Sequence, residues 1–336
     1  MRGDEPGGFD HNAADPEDPL KISVITTLYN EAADVEAVIR SVLEQTHPPH
    51  EVVVTDAGST DGTVEILDHI AAEHPTLRVI HQPGDRTVGR NTAIAATTAD
   101  HVACIDGGCI AEPDWLERIA DAFADGADWV AGFYRPEGRT LLSTCIGLVM
   151  VYTIDEVDPD AFIPSARSLG FSKEAWEKAG GFPVAFVAED SAYGEALRAA
   201  GYTPRFAPGA VVRWRPPAGL ASLWVTVYRW GRGDGLTGMR NYELKHLAKV
   251  WGATGLAVAL SAIFLPPLIP VALVPLAVKT VLSTQPKYRH ARGVLKFVYL
   301  PIAYLVASAA EATGFVVGAA TAKMRPDPDR WRSTSA

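Results

Sequence analysis

Cysteine is scarce in this chain: Cys104, Cys109 and Cys145 are the whole set. An odd trio cannot build a disulfide framework, and a reducing compartment suits it. Cys104 and Cys109 flank Asp106, but their spacing is not that of a zinc site, so core packing is expected of both. Positive charge is short in the first two-thirds. Residues 241–336 carry 11 Lys/Arg against 4 Asp/Glu, whereas the rest carries 19 against 36. No domain-sized basic surface is available, which excludes nucleic acid as the main partner. An acidic body with a basic, apolar tail suggests a soluble domain held at an anionic membrane face. Residues 1–20 lack an apolar run and read as a disordered arm, not a signal peptide or anchor.

From residue 21 onward, short apolar strands alternate with helical segments. Strands are expected at 22–28, Glu51–Thr55, Leu77–His81 and His101–Ile105. Helices are expected at 32–45, Gly62–His74, Val88–Thr98 and Pro113–Phe123. On the first helix Val35, Val38, Ile39, Val42 and Leu43 share one face. The alternation predicts an α/β domain over 21–217 with a mostly parallel sheet and right-handed crossovers. Its second half is less regular. There the pattern gives strands at Trp129–Tyr134 and Ala210–Trp214, with helices at Leu141–Tyr152, Lys173–Ala179 and Glu189–Ala200. The first two strands stop at small polar clusters, Thr27-Leu28-Tyr29-Asn30-Glu31 and Thr55-Asp56-Ala57-Gly58-Ser59. Each cluster opens onto a helix, as in sheets that bind nucleotides at the carboxyl ends of their strands.

These two runs resemble the donor half of family-2 glycosyltransferases of the GT-A fold (Rossmann-like nucleotide-diphospho-sugar transferases), and the likeness continues to about Gly235. The resemblance implies that Asp56 contacts the base or ribose, with Thr27, Tyr29 and Glu31 lining the same pocket. The family often has a second aspartate where this chain has Ala57. The stretch after Asp56 also suits a tight turn that caps the next helix. Gly89-Arg90-Asn91 resembles the family's helix start, whose arginine faces the nucleotide. Asp106-Gly107-Gly108 stands in place of the Asp-X-Asp motif, whose carboxylates hold Mg²⁺ or Mn²⁺ on the diphosphate. Gly108 removes one carboxylate, and Val211–Arg215 lacks the histidine that the family often supplies from a late strand. A divalent metal would then rest on Asp106. The alternative is neutralisation of the phosphates by Arg213 and Arg215, with Arg229 or Arg232, and weak or absent metal dependence.

Glu189-Asp190 follows Gly180-Gly181-Phe182 at the family's spacing. The resemblance makes Asp190 the general base, with Glu189 beside it. Arg167, in Pro164-Ser165-Ala166-Arg167, is placed near phosphate or acceptor. Tyr228–Gly233 partly resembles the Gln-X-X-Arg-Trp motif of processive polysaccharide synthases, with Thr226 at the glutamine position.

Residues 218–249 interleave Trp224, Tyr228, Trp230 and Tyr242 with Arg229, Arg232, Arg240 and Lys245, the composition of an interfacial amphipathic segment. A membrane region is expected over 250–322. Val250–Val278 carries no charge and is long enough to span a bilayer, but Pro266-Pro267 breaks a helix. Both flanks are basic, so the positive-inside tendency places both on the cytoplasmic side. A hairpin or re-entrant pair within 250–282 satisfies this, and one tilted span is the alternative. A second apolar segment, 294–322, contains Glu311, and 323–336 is a basic tail. The whole pattern implies an integral plasma-membrane protein with a cytoplasmic catalytic domain. With it, the family resemblance implies an inverting transferase moving sugar from a nucleotide-sugar, UDP-linked, to a lipid-linked or polyprenyl acceptor in cell-surface glycan or glycoprotein assembly. A polyprenyl-phosphate sugar synthase and a non-catalytic nucleotide-sugar-binding scaffold are the alternatives.

Overall fold

The computed structural model describes residues 20–159, 162, 164–183, 189–238 and 240–324. The expected N-terminal arm and most of the basic tail lie outside them. The strands are β1 (Ile22–Leu28), β2 (Glu51–Asp56), β3 (Leu77–His81), β4 (His101–Cys104), β5 (Cys109–Ala111), β6 (Trp129–Pro136), β7 (Leu169–Ser172) and β8 (Arg205–Trp214). They form one sheet in the order β3-β2-β1-β4-β7-β6-β8-β5. The first four pair in parallel, as the alternation predicts. In the second half β7 runs against both β4 and β6, and β5 runs against β8, so the sheet is mixed. Antiparallel neighbours need no helical crossover, which is why the helical rhythm weakens there.

The domain's helices are α1 (Val35–Leu43), α2 (Thr63–Glu73), α3 (Arg86–Ala96), α4 (Trp115–Ala124), α5 (Leu141–Met150), α6 (Lys173–Ala179) and α7 (Glu189–Ala199). Helix α3 starts before Val88 because the Asp85 side chain caps it, accepting from the Val88 amide at 2.9 Å. Alternate strand residues feed opposite faces of the sheet. Val24, Val52 and Val54 pack with Ile39, Leu67, Trp115 and Ile119. Ile25 and Val53 pack with Ile94, Val102, Trp129 and Phe171 on the other side. Cys109 and Cys104 belong to these two clusters respectively, so both are packing residues. Burial pushes the Cys104 thiol up to about 12.

Two features escape the sequence pattern. β5 is a three-residue strand, too short to show a period. β8 begins well before Ala210 and runs through Pro208-Gly209, where its register against β6 shifts between Ala131 and Phe133.

Four longer helices follow: α8 (Leu220–Thr237), α9 (Asn241–Phe264), α10 (Ile269–Thr284) and α11 (Lys296–Met324). Segments 243–264, 266–290 and 296–322 are long and apolar enough to cross a membrane. The helical path breaks at Pro266–Leu268, and α9 packs against α10. Helix α8 lies along α11 through facing glycines. A Cβ at Gly231 would meet the Glu311 carbonyl, and one at Gly314 would meet the Tyr228 carbonyl. The two backbones therefore touch, in the manner of small-residue helix crossings. Leu223, Val227, Ala303, Ala307 and Ala310 close the same contact over Ile146 of α5. Glu311 is paired with Arg240 at 3.0 Å, and Arg240 also lies 3.5 Å from Asp234. The linker between α10 and α11 is fastened to the α/β domain. Its Lys287 donates to the Val151 carbonyl at 3.0 Å and to Glu156 at 2.7 Å, while Arg289 and His290 reach Asp155.

Candidate active site

The loops that leave β1 and β2 are stitched together. The Asn30 amide donates to Ser59 Oγ at 2.8 Å, and Asn30 Oδ1 accepts from the Thr60 amide at 2.9 Å. The Glu31 amide donates to Thr63 Oγ1, and the Ala32 amide to Asp61 Oδ2. Asn30 holds a left-handed backbone, φ 54°, which asparagine tolerates better than most residues. This bracing presents Tyr29 outward, 60% exposed, on a fixed turn.

Asp56 ends β2 opposite Leu28, the last residue of β1. Its Oδ2 accepts from the Gly58 and Ser59 amides at 2.9 and 3.0 Å, so the tight turn expected after it is present. Its Oδ1 is buried and has no hydrogen-bond partner among the described residues. A buried carboxylate oxygen without a donor is costly, and an incoming ligand donor would relieve it. Thr27 and Thr55 share a 2.9 Å hydrogen bond beside it. Helix α3 comes down on this pair at Gly89, where a Cβ would lie 2.5 Å from Thr27 Cγ2 and 2.9 Å from Thr55 Oγ1. Only glycine allows that approach, and it sets the next residue, Arg90, inside the domain.

Arg90 is buried and holds two carboxylates from distant parts of the chain. Nη2 donates to Asp106 Oδ1 at 2.5 Å and Nη1 to Glu189 Oε1 at 3.0 Å, with Phe182 under the guanidinium at 5.4 Å. Arg86, one turn earlier, approaches Glu189 at 3.4 Å. Burial alone would raise the Asp106 pKa, but Arg90, Arg167 and Arg86 outweigh it and hold the carboxyl below the usual aspartate range. Glu31 shows the opposite balance. Burial, then the charge of Asp61, raises its pKa, with Arg215 opposing. The Glu31 carboxylate lies beside Gly107, next to Asp106.

Asp190 stands at the head of α7, beside Glu189. Its Oδ2 accepts from Ser165 Oγ at 3.0 Å, and that hydroxyl also accepts from Arg167 Nη1 at 3.0 Å. Arg167 is wedged between the rings of Trp214 and Tyr134, at 4.7 and 5.0 Å. Cation–π contact on both sides fixes its plane.

The structure thus brings Thr27, Glu31, Asp56, Arg90, Asp106, Arg167, Glu189 and Asp190 to the carboxyl ends of β1, β2 and β4, with Tyr29 at the rim. Arg213 and Arg215 lie alongside, lining a cavity of about 270 Å³ next to Gly108. Both are committed to acids: Arg213 to Glu137 and Glu112, Arg215 to Asp34. Arg229 and Arg232 stand apart on α8, with no hydrogen bond or ion pair to this cluster among the described residues. Sequence reasoning missed Arg86, Tyr134 and Trp214 as site residues. Arg86 carried a local signal, being on the face of α3 one turn before Arg90. The two rings carried none, because they meet Arg167 from strands far apart in sequence.

Among the described residues no three His, Cys, Asp or Glu side chains group as a metal site. Mg²⁺ and Mn²⁺ can manage with one or two carboxylates, completing their shells from phosphate and water. Asp106, with one oxygen on Arg90, and Glu31 beside Gly107 form such a donor set. They fit an ion held chiefly by a diphosphate, not an ion in a protein cage.

Residues 23–142 match the family model described as glycosyl transferase family 2. Glycosyltransferase AglE of Haloferax volcanii is 28% identical over 223 residues, covering 63% of this chain and 72% of that protein. Poly-beta-1,6-N-acetyl-D-glucosamine synthase of Staphylococcus epidermidis is 24% identical over 225 residues, again 63% of this chain but only 54% of that longer protein. Among solved structures, the mannosyltransferase PcManGT of Pyrobaculum calidifontis, in complex with GDP-Man and Mn²⁺, superposes with a TM-score of 0.60 at 23% identity over 89% of each chain. That likeness is one of fold, and its extent includes the helices after the sheet. Residues 23–142 thus carry a glycosyl transferase family 2 domain, on a GT-A sheet.

Proposed function

We propose that this protein is an inverting glycosyltransferase that moves a sugar from a nucleotide-sugar, UDP-linked, to a lipid-linked acceptor at the membrane. The observation that carries it is the Asp190–Ser165–Arg167 chain lying against the Asp106–Arg90–Glu189 cluster. A base, fixed by a hydroxyl, stands beside buried positive charge. Tyr29 covers the base of the donor, and the orphaned oxygen of Asp56 accepts from the base or ribose. Arg167 and Arg86 face the diphosphate. The acceptor hydroxyl attacks the anomeric carbon from the side opposite the leaving diphosphate, and Asp190 takes its proton. Arg90 keeps Asp106 ionised and holds Glu189 in place. A divalent ion would rest on Asp106 and Glu31 and supply positive charge to the leaving group, as the Mn²⁺ in the complex of PcManGT is consistent with.

Two observations support the membrane arrangement. Lys287 binds Glu156, so the α10–α11 linker lies on the side of the α/β domain. Helix α8 leaves that domain directly and contains Arg229, Arg232 and Asp234, which make it a poor membrane span. Both ends of the α9–α10 pair then lie on one side, which supports a hairpin turning at Pro266–Leu268. Basic residues at both ends support the cytoplasmic side, at the plasma membrane.

The test is nucleotide release by the detergent-purified protein across UDP-, GDP- and dTDP-sugars, with and without polyprenyl lipid extract. Release requiring both one donor and the lipid is expected, together with its loss in Asp190→Asn while donor binding persists. Donor binding with no release under any condition would move the protein to a non-catalytic scaffold.

A further inference from the structure

The outer face of α8 is not used by the catalytic cluster. Trp224, Val225, Tyr228, Arg229 and Arg232 line a cavity of about 330 Å³ on it. Their spacing puts them on one helical face. The adjoining face, Leu223, Val227, Gly231 and Gly235, is sealed against α11, with the backbones of Tyr228 and Arg232 at the edge of that contact. Two cations therefore line this cavity and no carboxylate does. Neither arginine has a hydrogen bond, ion pair or ring contact among the described residues, whereas Arg240 beyond the end of the same helix is committed to Asp234 and Glu311. Two guanidinium groups with open donors suit an anion rich in oxygen. Trp224 and Val225, 40% and 46% exposed, add an apolar rim. An aromatic and apolar rim around arginines is the pattern of a bilayer interface, and the helix that follows α8 is one of those long enough to span.

We propose that this cavity binds the phosphate of an anionic phospholipid of the bilayer surface, with Arg229 and Arg232 on the phosphate and Trp224 and Tyr228 at the level of the glycerol and upper acyl chain. The site anchors α8 flat on the membrane. Because α8 starts just after β8, it also fixes the height of the catalytic cleft above the lipid.

The full-length protein in detergent is titrated with short-chain phosphatidylglycerol and phosphatidylcholine by native mass spectrometry. Phosphatidylglycerol should bind in preference to phosphatidylcholine, and Arg229→Gln/Arg232→Gln should weaken it about 30-fold, on the scale of about 1 kcal/mol per arginine at a membrane surface. Binding should also weaken with salt. A variant that fails to fold is bypassed in nanodiscs. There, dibrominated phosphatidylglycerol should quench the fluorescence of the wild type more than that of Trp224→Phe, in which both arginines remain. Equal phosphatidylglycerol affinity in the double variant, equal affinity for phosphatidylcholine, or equal quenching would overturn the proposal. Displacement of phosphatidylglycerol by tenfold less polyprenyl phosphate would overturn the source and give the cavity to the acceptor. Inorganic phosphate competing at the same concentration would reduce it to a free-anion site.

Discussion

Arg90 offers the sharpest test of how the site is built. Its guanidinium joins α3 to the turn after β4 and to the head of α7, and both carboxylates it holds are largely withdrawn from water, Asp106 at 22% exposure and Glu189 at 4%. Arg90→Met keeps the volume and removes the charge. It leaves two carboxylates without the cation that bridges them, and only the more exposed Arg86 remains against Glu189. Breaking such a buried pair destabilises by about 3–5 kcal/mol. For a domain of this size each kcal/mol shifts Tm by roughly 2–4 °C, so a fall of about 6–20 °C is expected. Arg90→Lys should fall between, because a single ammonium cannot bridge both acids as a planar fork does. The triple variant Arg90→Met/Asp106→Asn/Glu189→Gln removes the stranded charges and should recover most of the lost stability, but no turnover. Thermal unfolding of the detergent-solubilised chain reads all three. A fall below about 2 °C for Arg90→Met, or losses in Arg90→Met and Glu189→Gln that simply add, would refute the coupling. The acid side gives an independent check. Asp106 is held below its ordinary 3.8, so its stabilisation is fully present above that value and disappears as pH falls through the lower, folded value. The stability advantage of wild type over Asp106→Asn should therefore close only below pH 3.8.

Glu31 should show the reverse sign. Burial and Asp61 raise its pKa, so its ionised form opposes folding at neutral pH, and that penalty lifts as pH falls through the raised value. Glu31→Gln is expected to raise Tm while weakening donor or metal binding several-fold, read by calorimetric titration. Gly231→Val drives a branched side chain into the Glu311 carbonyl and should destabilise the α8–α11 pair by about 1–3 kcal/mol or more, seen as early protease cleavage in α8. Single cysteines at Leu268 and Arg289 test the hairpin in sealed cells, in a background with Cys104, Cys109 and Cys145 replaced. An impermeant thiol reagent added outside should label position 268 and spare 289, and equal labelling of both would reject the arrangement.

The legible parts of this fold were those whose signal is local. Apolar runs gave β1 to β4 nearly to the residue and α1 to α3 to within a turn, because the central strands β1 and β2 are buried on both faces and each helix on one. Asp56, Arg90, Asp106 and Asp190 were legible through short motifs in order along the chain, not through any sign that they meet. What stayed hidden depends on residues far apart in sequence. The mixed half of the sheet arises from β7 entering between β4 and β6, which periodicity does not record. Trp214 and Tyr134 looked like ordinary strand aromatics, yet they hold Arg167. Gly231 and Gly235 fall in the interfacial segment and Gly314 and Gly318 in the second apolar segment, and their purpose appears only when α8 and α11 are laid side by side. The arginines expected to replace a metal had the right neighbourhood, but Arg213 and Arg215 are already answered by Glu137, Glu112 and Asp34.

Those commitments bear on the metal. Around the place proposed for the diphosphate stand four carboxylates, Glu31, Asp106, Glu189 and Asp190, and three arginines, Arg86, Arg90 and Arg167. Arg90 is spent on Asp106 and Glu189. The protein alone therefore meets an anionic donor with a slight excess of negative charge, in a partly buried place where opposite charge is strongly favoured. A divalent ion corrects that balance, yet with Asp106 half engaged and Gly108 in place of a second acid, the protein has little to hold one alone. The two conditions together require coupling: ion and donor should each tighten the other by the same factor, as linkage demands. Mn²⁺ titrated against the free protein should bind weakly, and the nucleoside diphosphate should strengthen it by at least about tenfold, with the reciprocal gain for the nucleotide. Tight Mn²⁺ binding without nucleotide would mean a protein cage that these residues do not form. Nucleotide affinity and turnover both indifferent to a chelator would return the work to Arg167 and Arg86 alone.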